Sequence, residues 1–280
     1  MTAAALGALA VWLGGWRLNA WLAPRAGRGW LRLLPPLVFG ATLLAVWELL
    51  VRGFGISPIL LPAPSAIGAR IAASWPVLVA DVTQTFVRGA LTGYVIGCGA
   101  AFLVGLAADR SPFLRRGLLP VGDFASALPI IGMAPIMVMW FGFDWQSKAA
   151  VVVLLTFFPM LVNTVQGLAA VEPMQSDLMR TYAAGWRQTL LTLKLPAAAP
   201  FLFNGLKICT TLALIGAIVA EFFGSPTSGM GFRISTEAGR LALDMVWAEI
   251  AAAAAVGSAF YGVVALLERA ATFWHPAQRG

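Results

Sequence analysis

Long apolar runs separated by short polar segments set the plan of this chain. A helix needs about 20 apolar residues to cross a hydrocarbon layer about 30 Å thick. Runs of that length fall near 34–52, 89–108, 118–141, 148–170, 198–222 and 246–267. Each predicts a helix, because lipid offers no water to an unpaired backbone group. The stretch 2–16 is apolar but shorter and ends at Arg17. It reads as a seventh span, a surface helix or an uncleaved signal-like start.

One polar interruption has a pattern of its own. From Asp177 to Pro196 the chain reads DLMRTYAAGWRQTLLTLKLP. Asp177, Arg180, Arg187, Gln188 and Lys194 give a wet side. Leu178, Met179, Tyr182, Ala183, Trp186, Leu190 and Leu193 give an apolar side at roughly helical spacing. Leu195-Pro196 is expected to stop the segment, since proline lacks an amide hydrogen and restricts the residue before it. The outer connections differ: 53–88 is long, with a short helix expected over Ser65–Ser74, 142–147 is a tight turn, and 223–245 carries turn residues such as Gly229 and Gly231.

Composition agrees with a membrane solvent. Of the 280 residues 60% are hydrophobic and 11% charged, a balance that a water-soluble globule of this size cannot hide. The net charge of +7 is spread singly between apolar runs, so topology accounts for it and no nucleic-acid partner is expected. With residues 17–33 inside, the inner side holds Arg17, Arg25, Arg28, Arg32, Arg110, Arg115, Arg116, Arg180, Arg187, Lys194, Arg269 and Arg279. The outer side holds Arg52, Arg70, Arg88, Lys148, Arg233 and Arg240. This bias makes the 177–196 segment cytoplasmic. Cys98 and Cys209 lie inside apolar runs without metal-ligand spacing, and the single histidine, His275, lies in the tail, so no metal site is expected.

Several positions within the runs invite a role. Gly89, Gly93, Gly97, Ala101 and Gly105 put a small residue at every fourth place, a stripe that lets another helix approach closely, either in the same subunit or across a dimer seam. Pro129, Gly132 and Pro135 predict a kink or break in the third run, and broken helices line cavities or lie buried in protein. Asp123, with Ser126 just beyond, is either a pathway carboxylate or a group in a wet vestibule. Glu221 is either a docking or gating residue or a cap for the loop after it. No phosphate loop, nucleophile elbow, HExxH helix or histidine–carboxylate cluster occurs, so neither ATP binding nor catalysis is expected of this chain, and no cofactor.

These residues resemble the transmembrane permease subunits of bacterial ABC importers, in the nitrate/sulfonate/taurine branch. ALPIIGMAPIMVMWFG (127–142) and FFPMLVNTVQGL (157–168) are similar to that branch's third and fourth spans. Trp47-Glu48 and Leu61-Pro62-Ala63-Pro64 resemble its first span and outer loop, and Ala220-Glu221 with Gly229-Met230-Gly231-Phe232 its turn after the fifth span. The 177–196 segment is similar to its cytoplasmic coupling loop, with Asp177 at the glutamate position, Ala183 at the glycine position, and Leu193, Leu195 and Pro196 closing it. Leu178 and Met179 replace two alanines.

The resemblance implies an all-α, polytopic membrane protein of type I importer permease fold with about six core spans, in the bacterial inner membrane. It divides the chain into an N-terminal segment 1–33, a permease domain 34–275 containing the coupling loop 171–197, and a tail 276–280. Asp177, Arg180, Ala183, Ala184, Gly185, Trp186, Leu195 and Pro196 would meet the ATPase. Implied partners are two cytoplasmic ABC ATPase subunits, an extracytoplasmic solute-binding protein and a second copy of the permease. The implied solute is a small anion such as nitrate, taurine or a sulfonate, or else a pyrimidine or vitamin-precursor ring. An ion-driven secondary transporter is disfavoured by the lack of an internal repeat and of a convincing mid-membrane coupling carboxylate; a membrane enzyme is disfavoured by the lack of a catalytic constellation.

Overall fold

The computed structural model describes residues 2–25, 30–114, 116–118, 130–224 and 227–273. Helix is the only regular element among them: α1 Thr2–Leu22, α2 Leu34–Phe54, α3 Pro64–Ala73, α4 Trp75–Arg110, α5 Ala134–Phe141, α6 Trp145–Ala169, α7 Pro173–Thr181, α8 Trp186–Phe223, α9 Met230–Gly239 and α10 Leu243–Ala271, with short 3-10 turns between some of them. Five helices among the described residues are long and apolar enough to cross a membrane: α2 with the turn before it, α4, α6, α8 and α10. Of the expected third run, the described residues include Ile130–Met133 as a 3-10 turn and the eight residues of α5. Pro135 lies in the first turn of α5, where its missing amide hydrogen costs no helix bond, so the change of conformation falls just before Ala134. Asp123, Ser126 and Pro129 lie outside the described residues.

The chain forms two compact units, residues 1–78 with 234–251, and residues 79–233 with 252–280. In the first, α1 runs past Arg17 and packs along α2, although it is not among the five membrane-crossing helices. Trp12 meets Phe39 edge-on with ring centroids 6.2 Å apart. Gly15 leaves room for Thr42, and Gly53 for Ala4. Helix α3 is close to the expected short helix, and Glu48 on α2 caps it, accepting from Ser65 N at 3.0 Å and Ser65 Oγ at 2.7 Å. Arg70 on α3 reaches Asp244 at 2.9 Å, and Trp47 packs against Trp247 with centroids 5.0 Å apart.

In the second unit α6 lies between α4 and α8. The small-residue stripe of α4 faces α6 of the same chain. A Cβ on Gly93 would stand 2.6 Å from the Ala149 carbonyl oxygen and from Val152 Cβ, and one on Gly97 would stand 3.0 Å from Val153 Cα. Gly105 makes room for Thr164, Gly89 approaches Lys148 and Ala217, and Ala101 is fully buried. Thr156 and Thr164 donate to carbonyls in their own helix at 2.9 and 2.8 Å, so both hydroxyls are satisfied inside this seam. Cys98 and Cys209 are buried without a disulfide.

Two expectations are corrected. Residues 75–88, taken as outer connection, are helical, and α4 is one helix of 36 residues. Its Thr83–Leu91 section is wound as a π-helix that buries Gln84, Thr85, Gly89 and Ala90. Of the polar residues that disguised it, Asp81, Gln84 and Thr85 are buried, while Thr83 and Arg88 are exposed. Leu195-Pro196 does not stop the segment either. Helix α8 passes through it for 38 residues, about 57 Å at 1.5 Å per residue. Residues 190–194 form a π turn in which the Leu195 amide donates to Leu190 O, five residues back. The wider turn lets a proline ring pass where an ordinary helix would clash.

Candidate functional site

The 177–196 segment folds as a helical hairpin. Helix α7 starts at Pro173, four residues before the expected start, and ends at Thr181. The Ala183 amide donates to Arg180 O at 2.9 Å and the Ala184 amide to Met179 O at 3.0 Å. This paired closure requires a left-handed residue at Ala183, whose φ is 54°. The glycine position of the coupling pattern thus has a backbone reason, and alanine fills it at some strain. Gly185, by contrast, is extended with φ −70° and ψ 165°, precedes the first turn of α8, and has open space where a side chain would go.

Helix α7 has no buried residue. Met174, Leu178 and Tyr182, four residues apart, are 76%, 55% and 76% exposed. Asp177 and Arg180 form a 3.3 Å pair that is exposed on both sides; such a pair contributes little to stability. The root of the hairpin is tied down. Asp109, at the end of α4, accepts from Trp186 Nε1 at 3.2 Å and from Lys194 Nζ at 2.6 Å, and the Arg110 guanidinium lies 5.2 Å from the centre of the Trp186 ring. Leu195 packs against a buried cluster of Leu168, Leu190 and Ala198, while Pro196 is exposed. Asp109 was not singled out in the sequence, where it reads as an ordinary polar residue at a span end.

At the other end of α8, Glu221, Gly229 and Gly231 come together. Glu221, 2% exposed, accepts from Thr85 Oγ1 at 2.8 Å and from the Gly231 amide at 2.7 Å. Thr85 Oγ1 accepts from the Met230 amide at 2.7 Å, and Asp81 Oδ1 accepts from the Gly229 amide at 2.7 Å. Buried oxygens from α4 and α8 thereby satisfy successive amides at the start of α9, where the helix dipole also favours negative charge. Arg233 Nε balances Asp81 at 2.8 Å. The buried Lys148 ammonium donates to the carbonyls of Phe143 and Gly224. A side chain on Gly229, whose φ is 127°, would collide with the Glu221 carboxylate. Beside this cluster, Gln84 Nε2 donates to Asp144 at 2.9 Å. That bond, with help from the Trp145 amide, Arg88 and Lys148, lowers the Asp144 pKa. Asp81 and Thr85 escaped notice because their segment read as a loop. Gly132 and Pro135 are exposed and join neither group.

Comparisons with known proteins identify the family and the fold. The family described as binding-protein-dependent transport system inner membrane component matches residues 93–273. The formylaminopyrimidine transport permease ThiX of Halalkalibacterium halodurans is 34% identical over 71% of this chain and 79% of its own length. The putative aliphatic sulfonates transport permease SsuC of Bacillus subtilis is 30% identical over 90% of each, and the taurine transport system permease TauC of Escherichia coli is 29% identical over 84% of this chain and 87% of its own. A chain of the MetNI methionine ABC transporter, solved in inward-facing conformations, shares the fold with a TM-score of 0.54 at 17% identity, over 70% of this chain and 95% of its own. The chain therefore belongs to the binding-protein-dependent transport system inner membrane components, the permease subunits of ABC importers.

Proposed function

We propose that this chain forms the solute path of an ATP-driven importer and works as a pair of copies. Two cytoplasmic ATPase subunits and an extracytoplasmic solute-binding protein complete the assembly. The observation that carries this reading is the hairpin: an uncovered apolar ridge of Met174, Leu178 and Tyr182 stands on a root fixed by Asp109. An exposed ridge of this spacing on a short helix suits insertion into a groove on a partner. Closure of the ATPases on ATP would press the α7 end inward, and the rigid root would pass that movement to α4 and α8. The two copies would then alternate between inward and outward access, each state selected by its partner.

The positive-inside bias supports a cytoplasmic hairpin. For the solute, kinship to sulfonate and taurine permeases supports a small anion. Kinship to the ThiX permease supports a ring compound, and the uncharged polar groups described below favour this second reading. The test is co-purification of the permease with its ATPase and binding protein. ATP hydrolysis should rise when loaded binding protein is added. Uptake that persists without ATP and follows a proton or sodium gradient would refute the reading.

A further inference from the structure

Helix α8 keeps one stripe of its membrane span open: Phe201, Asn204, Ile208, Thr211 and Ile215 are all exposed at helical spacing. Asn204 is anomalous there. Its Nδ2 donates to Asn163 Oδ1 at 3.1 Å, and Asn163 Nδ2 donates to Pro159 O at 2.8 Å, which fixes the Asn163 amide plane on α6. An amide offers two N–H donors and a carbonyl with two lone pairs. Asn204 therefore keeps its Oδ1 and one N–H without a partner among the described residues.

The depth makes this costly. Asn163 lies six residues past the midpoint of α6, about 9 Å, whereas the hydrocarbon extends about 15 Å from its centre. Polar side chains within a span face protein or water rather than lipid. The open stripe also leads into a hollow. Thr211 lines a groove of about 510 Å³ between α8 and the 252–271 part of α10, with Ser258 and Tyr261 supplying further hydroxyls among apolar walls. Its other lining residues are apolar: Leu214, Ile215, Ile218, Ala253, Ala254 and Gly257. The cation near this level is neutralised: Lys207 Nζ is 2.7 Å from Glu268 Oε2.

We propose that Asn204, held by Asn163 as its positioning residue, binds solute in the translocation path, and that the solute is an uncharged heterocycle bearing an amino donor beside a ring-nitrogen acceptor. An asparagine amide meets such an edge with two parallel hydrogen bonds, as it does on adenine. Lys207, the cation on this stretch of α8, is already paired with Glu268, so a small anion gains no free charge from it. The inference rests on the importer reading and adds to it the class of solute.

The test uses the full importer, with its ATPase and binding protein, reconstituted in vesicles. Cys98 and Cys209 are buried, so Asn204→Cys gives the permease one accessible thiol that reports access to position 204, and Thr211→Cys, exposed on the same stripe, gives one that reports occupancy with Asn204 intact, each read with a water-soluble methanethiosulfonate reagent. Both thiols should label in the assembled complex, and labelling of the Thr211→Cys complex should slow about tenfold when binding protein loaded with formylaminopyrimidine is added, taurine giving no protection. Asn204→Ala should cut uptake of the pyrimidine about tenfold while Asn204→Gln retains most of it. An Asn204→Cys thiol that stays unlabelled in every nucleotide state places Asn204 against lipid or a copy and overturns the site. Protection by taurine, or by neither probe, overturns the solute class. Failure of the unsubstituted complex to raise ATP hydrolysis with loaded binding protein would instead strike the importer reading itself.

Discussion

Lys194 Nζ lies 2.6 Å from Asp109 Oδ1, joining the root of the α7–α8 hairpin to the end of α4. The aspartate is nearly buried and the lysine about a fifth exposed, and the Trp186 indole takes the other carboxylate oxygen. Removing the acid alone leaves a lysine and an indole N–H partly desolvated and unpaired. Asp109→Ala is expected to lower stability by about 2 kcal/mol, less than the 3–5 of a fully buried pair. Lys194→Met in the same chain should recover part of that loss, and thermal unfolding of the four variants gives the coupling energy. In the assembled importer, Asp109→Ala should let ATP hydrolysis continue with less uptake per ATP. An unchanged ratio would mean that the root does not carry the movement.

The turn of the hairpin gives a prediction of opposite sign. Ala183 holds φ 54° to close α7, a conformation in which a Cβ is strained and glycine is not. Ala183→Gly should raise stability by up to about 1 kcal/mol, offset in part by the greater freedom of glycine in the unfolded chain. Ala183→Val should destabilise, since a β-branched residue tolerates this region worst. Melting of the purified permease checks both.

Gly185 separates fold from docking. It is extended and nothing stands within 4 Å of a Cβ built there. Gly185→Leu should leave the melting temperature of the isolated permease unchanged and weaken its complex with the ATPase. Loss of stability in the isolated chain would contradict the open space, and intact ATPase binding would mean that this turn is not part of the contact.

How far the sequence could be read follows from which solvent each residue meets. The apolar runs ending at Phe54, Ala169 and Phe223 were legible because lipid demands length and hydrophobicity of whatever faces it. Asp81, Gln84 and Thr85 misled because their partners, Arg233, Asp144, Glu221 and the α9 amides, are supplied from distant parts of the chain. A polar residue paired across 130 residues or more, as Thr85 is with Glu221 at a separation of 136, looks locally like a loop residue. Pro196 misled for a different reason. Its accommodation depends on a π turn five residues long, which leaves no mark in composition. At the hairpin, the family resemblance put the glycine position at Ala183, whereas Asp109, 85 residues from Lys194, carried no local signal.

The helix seam can be probed by a matched pair. A Cβ at Gly93 would meet a backbone carbonyl and Val152 at 2.6 Å, and neither the carbonyl of α6 nor a β-branched side chain can turn aside. Gly99, six residues on and exposed, has nothing within 4 Å. Gly93→Ala should therefore destabilise by about 1–3 kcal/mol and reduce the monodisperse fraction in detergent. Gly99→Ala should be neutral or slightly stabilising, because alanine is the better helix former. Equal effects at the two sites would mean that α4 can slide on α6.

Thr85 ties α4, α8 and α9 through one hydroxyl, which donates to Glu221 and accepts from the Met230 amide. Thr85→Val keeps the shape and removes both bonds, leaving a buried carboxylate one donor short and an amide without an acceptor. The cost should be about 2–3 kcal/mol, because orphaned buried groups lose their full solvation. Thr85→Ser retains the hydroxyl and should cost no more than the missing methyl, about 1 kcal/mol. The amide hydrogens of Met230 and Gly231 report the event locally: their exchange with solvent should quicken in the valine variant and stay slow in the serine variant. Equal exchange in both would show that the start of α9 is held by Asp81 and Glu221 without Thr85.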